Sequence, residues 1–153
     1  MYTFTTTIDI DAPRSRVWRA LCDPAEVVQW DTGIEQALDA PPDYPQPGQH
    51  VRWRYSNGPF RLLHDRPQRV EPESVLAADL AVGPFKFHET YRLEERPGGC
   101  ALSAAMNVWA VLPLVGVLIE RLYLGAQTKR TVEASLRAIK RHCEGETTGQ
   151  ASA

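Results

Sequence analysis

The sequence predicts an α+β domain: a curved antiparallel sheet of about seven strands wrapped around a long C-terminal helix, with two short helices after the first strand. Three patterns carry that expectation. Tyr2 to Ile10 alternates as a half-buried strand and halts at a proline. Turn signals then punctuate a run of further strand patterns, and Pro113 to Cys143 repeats apolar residues at helical spacing. A sheet curved about one helix encloses space, so small-molecule binding is the leading class of function.

In the first strand Tyr2, Phe4, Thr6, Ile8 and Ile10 share one face, because side chains alternate along a strand. Pro13 has the fixed φ that suits a helix start, and Val17, Trp18 and Leu21 follow at helical spacing up to Asp23, with Trp18 expected on the buried face. Pro24 opens a second short helix that carries Val27, Val28 and Trp30. Gly33 to Asp39 reads as a strand. Ala40 to Gly48 holds Pro41, Pro42, Pro45 and Pro47, which cannot donate to a ladder, so it reads as a rigid loop.

From His50 to Ser56 the strand pattern returns, with Val51, Trp53 and Tyr55 on one side, Arg52 and Arg54 on the other, and Asn57-Gly58 as the turn. Phe60 to Val70 is a weaker strand interrupted at Pro67. Ser74 to Val82, Phe85 to Glu95 and Cys100 to Trp109 follow across turns at Gly83-Pro84 and Pro97-Gly98-Gly99, which makes an antiparallel meander. In the last segment Val115, Leu118, Ile119, Leu122, Ala126, Val132, Leu136, Ile139 and Cys143 form a stripe about 45 Å long facing the sheet. Lys129, Arg130, Glu133, Arg137, Lys140 and Arg141 charge the outer face of its second half. Gly145 is expected to cap this helix, so that residues 1–145 form one domain and 146–153 a flexible tail.

At 153 residues the chain suits a single domain with a sizeable core. A formal net charge of -2 provides no global attraction to nucleic acid, and no nucleic-acid partner is expected. Cys22, Cys100 and Cys143 are odd in number and far apart, as free buried thiols of a reducing compartment would be. The opening residues lack the basic-then-apolar order of a secretory leader, which points to a cytoplasmic location. The apolar segment Val108 to Leu124 is interrupted by Pro113, Glu120 and Arg121, so it falls short of the ~20 apolar residues a bilayer needs. Its surplus apolar surface is expected to be covered by the sheet, by a second subunit in a homodimer, or by transient membrane contact.

The run Ile8-Asp9-Ile10-Asp11-Ala12-Pro13, followed by Val17-Trp18, Leu21, Asp23-Pro24 and Trp30, resembles the opening of the START-like (birch-pollen-allergen-like, SRPBCC) superfamily, in its polyketide cyclase/dehydrase and lipid transport branch. The order continues with Arg69-Val70-Glu71, with Tyr91-Arg92-Leu93-Glu94 before a Gly-Gly turn, and with a last strand and long helix, so the resemblance covers almost the whole chain. It implies a helix-grip fold with an apolar cavity between sheet and helix. It transfers no catalytic residue, because the matching residues shape the strand-to-helix corner and the core. The proline-rich loop and Pro67 depart from the pattern.

No Gly-rich phosphate loop, serine elbow, cysteine pair or His-Glu-x-x-His pattern occurs, and His50, His64, His88 and His142 fall on different elements. Neither a cofactor nor a metal is expected. The candidate for special chemistry, and the only candidate catalytic residue, is Glu89. If Phe85, Phe87, Tyr91 and Leu93 face the cavity, period-two geometry sets Glu89 among them, where a desolvated carboxylate could orient a ligand or act as a base. The alternative is a bulge or register shift that turns His88, Thr90 and Arg92 inward, or a Glu89 that merely pairs with an arginine. Trp53, Tyr55, Phe87, Tyr91, Met106, Leu118 and Leu122 complete the candidate ligand-binding set, each open to the plainer reading of core packing. Arg52 and Arg54 read as a solvated sheet face before an anionic-ligand site, Asn107 and Trp109 as a cavity mouth or the outer face, and Trp30-Asp31 as a structural corner before a gate.

The leading function is binding, sequestration or transport of a hydrophobic or amphipathic, lipid-like or polycyclic, small molecule. The alternative is a cofactor-independent cyclase or dehydratase acting on a polyketide-like substrate. A partner-binding module using the apolar start of the long helix is the third option. An inward cluster of polar groups within hydrogen-bond reach favours the enzyme, a dry apolar pocket the carrier, and a filled core with an exposed apolar patch the partner module.

Overall fold

The computed structural model describes residues 1–111 and 124–151, with side chains to residue 145. Strand β1 (Tyr2–Ile10) leads into helices α1 (Arg14–Cys22) and α2 (Pro24–Trp30). Six strands follow: β2 (Ile34–Ala37), β3 (Val51–Tyr55), β4 (Leu62–Glu71), β5 (Val75–Val82), β6 (Phe85–Arg96) and β7 (Gly99–Ala110). Helix α3 (Gly125–Ala151) is the last described element. The sheet has the order β1-β7-β6-β5-β4-β3-β2, with every neighbouring pair antiparallel. The α+β helix-grip expectation therefore holds. The start of the long helix at Pro113, together with Leu118 and Leu122, lies outside the described residues.

The strand-to-helix corner follows from its residues. Pro13 is extended at the N-cap of α1, and the Asp23 carboxylate accepts the Ala25 N–H at 2.9 Å to cap α2, with Pro24 at its first turn. At the β6–β7 turn Gly98 has φ +81°, and any side chain on Gly99 would strike the Ile10 carbonyl of β1, so both glycines are required there.

Strand β4 runs unbroken through Pro67, against the expected interruption. Pro67 pairs with Ala78 and Arg69 with Ala77, which leaves Gln68 bulged; a bulge is where a proline without an N–H can sit inside a sheet. Helix α3 likewise continues past Gly145 to Ala151, so this glycine is an interior residue and the backbone expected as a tail is helical. An interior glycine costs only about 1 kcal/mol. Trp18 is half-buried rather than buried. Ala126 is exposed, whereas Val132, Leu136, Ile139 and Cys143 are buried, because Gly125 and not Ala126 lies on the inward line of the helix, against the Tyr2 ring.

Helix α3 runs alongside β1 in the same direction. Gly125 abuts Tyr2, the Lys140 ammonium donates to the Asp9 carbonyl at 2.8 Å, and the Glu144 carboxylate accepts the Asp11 N–H at 2.9 Å. The helical rise from 125 to 140 is about 22 Å and the strand rise from 2 to 9 about 23 Å, so the two elements keep pace. The later part of α3 is packed solid: Leu136 (2 % exposed), Ile139 and Cys143 join Ile10, Val17 and Leu102 in one core. Glu26 of α2 ties the three helices at this end, meeting Arg16 at 2.8 Å, Arg19 at 2.9 Å and His142 at 2.9 Å. Burial works to raise the Glu26 pKa, but the bonds from His142, Arg16 and Arg19 outweigh it and hold the carboxyl below its usual range. Among the described residues no helix is long and apolar enough to cross a membrane.

Two stability outcomes follow. Leu136→Ala lowers the unfolding free energy by roughly 2 to 5 kcal/mol in urea titrations, the range for a truncated core leucine. Glu26→Ala costs on the order of 2 to 4 kcal/mol, somewhat below the range for removing one partner of a fully buried pair, because Glu26 and Arg16 keep 12 % and 10 % side-chain exposure.

Candidate functional site

Where α3 is packed solid the interior is full; further toward its start there is a hollow. The helix turns its small residues Thr128, Thr131 and Ser135 inward there, and Ala78 of β5 lies directly opposite Glu89. Short side chains on helix and sheet leave a cavity of about 170 Å³, close to the ~150 Å³ that accommodates one benzene-sized molecule. Trp53, Tyr55, Phe87, Glu89, Tyr91 and Met106 all line it. Leu118 and Leu122 lie outside the described residues.

The alternation of β6 sets Glu89. Phe87, Glu89 and Tyr91 point to the hollow, and Glu89 pairs across the ladder with Met106. His88 points to the other face, where it meets Asp79 of β5 at 2.7 Å, so the register that would turn His88, Thr90 and Arg92 inward is not adopted. Burial pushes the Glu89 carboxyl up to about 7; a hydrogen bond from Tyr91 pulls it down, and the charges of Asp31 and Asp65 add to the rise. The Tyr91 phenol is itself driven well above its ordinary range, by burial and then by the Glu89 charge, so it remains a donor.

The same hollow has a second polar group in its wall. Asp65 of β4 is 5 % exposed, and its Oδ2 accepts both the Tyr44 hydroxyl at 2.7 Å and the Trp53 indole N–H at 3.1 Å. Its Oδ1 is buried without a hydrogen-bond partner, and burial raises the Asp65 pKa despite the two donors. Asp31, after α2, accepts the Gly33 N–H at 2.9 Å, as a structural corner should, yet it also lines the hollow and has a pKa raised by burial.

Asp65, Tyr44 and Asp31 were not among the expected site residues. Asp65 shares a face with Leu63 and Pro67, a signal hidden by reading Pro67 as a break in the strand. Tyr44 sits in the proline-rich loop, where no periodicity says which way a side chain points.

Other residues fall outside the hollow. Arg52 pairs with Asp39 at 2.7 Å on the exposed sheet face, and Asn107 accepts the Thr3 hydroxyl at 3.0 Å on an exposed surface, not at a cavity mouth. Cys22, Cys100 and Cys143 are free and buried; burial pushes the Cys22 thiol up to about 12, which leaves almost no thiolate nucleophile. Among the described residues no group of three or more His, Cys, Asp and Glu side chains could hold a metal ion. What the arrangement offers is an aromatic-walled space with three carboxyls whose pKa values burial raises, Glu89 to about 7, and phenols that can donate to them.

A family model described as polyketide cyclase / dehydrase and lipid transport matches residues 1–144. No curated protein matches the chain. Among solved structures, protein CV1439 from Chromobacterium violaceum superposes with a TM-score of 0.74 at 17% identity, covering 93% of this chain and 96% of that one. Protein MLL2253 from Mesorhizobium loti gives 0.71 at 16% identity, covering 91% and 94%. DynU16, from the dynemicin biosynthetic locus, gives 0.63 at 20% identity, covering 92% of this chain and 48% of its own. Identities this low establish the shared fold alone. The family match spans the strand-to-helix corner, the whole sheet and α3 up to Glu144, and on that match the chain belongs to the polyketide cyclase/dehydrase and lipid transport family.

Proposed function

We propose that the protein binds an amphipathic small molecule in the hollow between the sheet and α3, with the apolar part of the ligand against Trp53, Phe87 and Met106 and its polar end at Glu89 and Asp65. The observation that supports this reading is the hollow itself: a space between sheet and helix whose aromatic and aliphatic wall also carries the polar groups of Asp31, Tyr44, Asp65, Glu89 and Tyr91. Its volume favours a ligand of about single-ring size over the longer lipid-like chains and polycycles that the sequence suggests.

Catalysis is the second reading, and one feature favours it over a passive carrier. Two polar pairs point inward, Glu89 with Tyr91 and Asp65 with Tyr44, rather than a dry apolar wall. A carboxyl titrating near 7 beside a phenol is suited to moving a proton at neutral pH without a cofactor. The partner-module reading loses support, because it requires a filled interior. The similarity to DynU16 and the family description fit a carrier and an enzyme equally.

Native mass spectrometry of the purified protein, with extraction of any bound molecule, tests the binding reading; protein that never carries or takes up a small organic molecule counts against it. Glu89→Gln then separates the roles. A carrier loses about 10- to 100-fold in affinity, the worth of one charge-assisted hydrogen bond. An enzyme retains binding and loses about 100- to 10,000-fold in rate. A variant unchanged in both removes Glu89 from the site.

The Glu89 carboxyl also leaves a signature in stability. Its folded pKa, about 7, lies above the ordinary 4.5, so between those values the native state holds a proton that the unfolded chain releases. That contribution is complete below pH 4.5 and disappears as the pH rises through 7. Urea unfolding at pH 4 and pH 8 therefore shows wild type losing on the order of 2 kcal/mol more than Glu89→Gln over this interval. Parallel pH profiles for the two proteins contradict the desolvation of this half-buried carboxyl.

A further inference from the structure

Building on the reading of the hollow as a ligand site, we propose that it selects a cation: a single-ring aromatic amine or ammonium whose charge lies between Glu89 and Asp65 and whose ring packs against the aromatic walls. The charges on the wall support this first. Asp31, Asp65 and Glu89 all line the hollow, and no Lys, Arg or His lines it among the described residues. Three acids around one half-open hollow disfavour one another's ionised forms, and no cationic side chain described on the wall offsets them.

The second support is the unsatisfied atom. Asp65 is 5 % exposed and has both donors, Tyr44 and Trp53, on Oδ2, while Oδ1 is buried with no partner. A buried carboxylate oxygen without a donor is unfavourable, and among the described residues no backbone or side-chain group supplies one. A ligand N–H would. The third support is the wall between the acids: Trp30, Trp53, Tyr44, Tyr55 and Tyr91 face the space, and electron-rich indole and phenol rings stabilise a nearby cation in addition to the carboxylates. An anionic ligand would meet repulsion from every acid, and a neutral alcohol would satisfy Oδ1 while leaving the repulsion in place.

Binding a cation also has a proton balance. Near pH 7 Glu89 is partly protonated, and an ammonium favours its ionised form. Protonated Glu89 and the free ammonium thus become an ion pair plus a proton released to the buffer, with no change to the ligand itself.

Three probes of equal length separate the possibilities: 3-phenylpropylamine, 3-phenylpropan-1-ol and 3-phenylpropionate, titrated calorimetrically into the intact wild-type protein at pH 7 in two buffers of different ionisation enthalpy. The expected order is amine, then alcohol, then carboxylate, with the amine at least about tenfold tighter than the alcohol and releasing a fraction of a proton. An alcohol that binds as tightly as the amine, or a carboxylate that binds tightest, overturns the cation preference and leaves the small-molecule reading standing. If none of the three binds up to its solubility, both fail. Glu89→Gln and Asp65→Asn, checked for an intact melting transition, should each bring amine and alcohol to within about threefold of each other. Glu94→Gln, on an exposed residue of β6, should leave the preference unchanged. Retention of the full preference in a folded Glu89→Gln and a folded Asp65→Asn overturns the proposal, and if either variant does not fold the wild-type panel decides alone.

Discussion

The carboxylate of Glu26 is the tie on which the rest of the arrangement depends. It sits on α2, takes Arg16 and Arg19 from α1 and His142 from α3, and so adds a polar tie to three helices whose buried faces share one core. A carboxylate with 12 % exposure is costly unless its oxygens are occupied, and here both are, at 2.8 to 2.9 Å. The tie fixes where α3 meets the α1–α2 corner, and Leu136, Ile139 and Cys143 are thereby held against Ile10, Val17 and Leu102. With one end of the helix held, its earlier turns are carried over the sheet at a set distance, and short side chains there cannot reach across. The hollow follows from a packed end combined with small residues at the open end.

Much of this was legible because period-two and helical spacing are strong signals wherever an element is amphipathic. The alternation of Phe85 to Leu93 put Glu89 on one face with Phe87 and Tyr91 but left open whether that face or the His88 face turned inward, and in the structure Phe87, Glu89 and Tyr91 line the hollow. The seven-strand meander was legible from its turns, since Asn57-Gly58, Gly83-Pro84 and Pro97-Gly98 each break a ladder for a covalent reason.

Less was legible where a tertiary contact overrides a local rule. Pro67 ends a ladder in isolation, but a bulge at Gln68 absorbs it, and the same bulge keeps Asp65 in phase with the inward face. A glycine near the end of a helix suggests a cap, yet Gly145 is carried through because Lys140 and Glu144 anchor the turn before it on Asp9 and Asp11. Tyr44 reaches Asp65 from a loop whose direction is set by long-range contacts, among them the edge-on packing of its ring on Trp53 with centroids 5.7 Å apart. The polar half of the hollow is therefore assembled from segments far apart in sequence. The apolar half comes largely from neighbouring strands, which is why it was the half that pattern could find.

The two ends of the molecule stand in an energetic relation that ties stability to the site. The packed end gains from dispersion and burial around Leu102, Val17 and Ile139, all at or near zero exposure. The open end bears the opposing terms: missing contacts around the cavity, a carboxylate oxygen without a donor, and a Glu89 carboxyl held near its neutral point by desolvation. Such terms are tolerable only because the packed end offsets them, and they are the interactions that an occupant of the hollow can improve. A molecule that filled the space, supplied a donor to Asp65 and settled the charge of Glu89 would gain free energy from each of those groups. Its affinity is therefore governed by how fully it meets those unmet groups, and much less by the apolar area it buries.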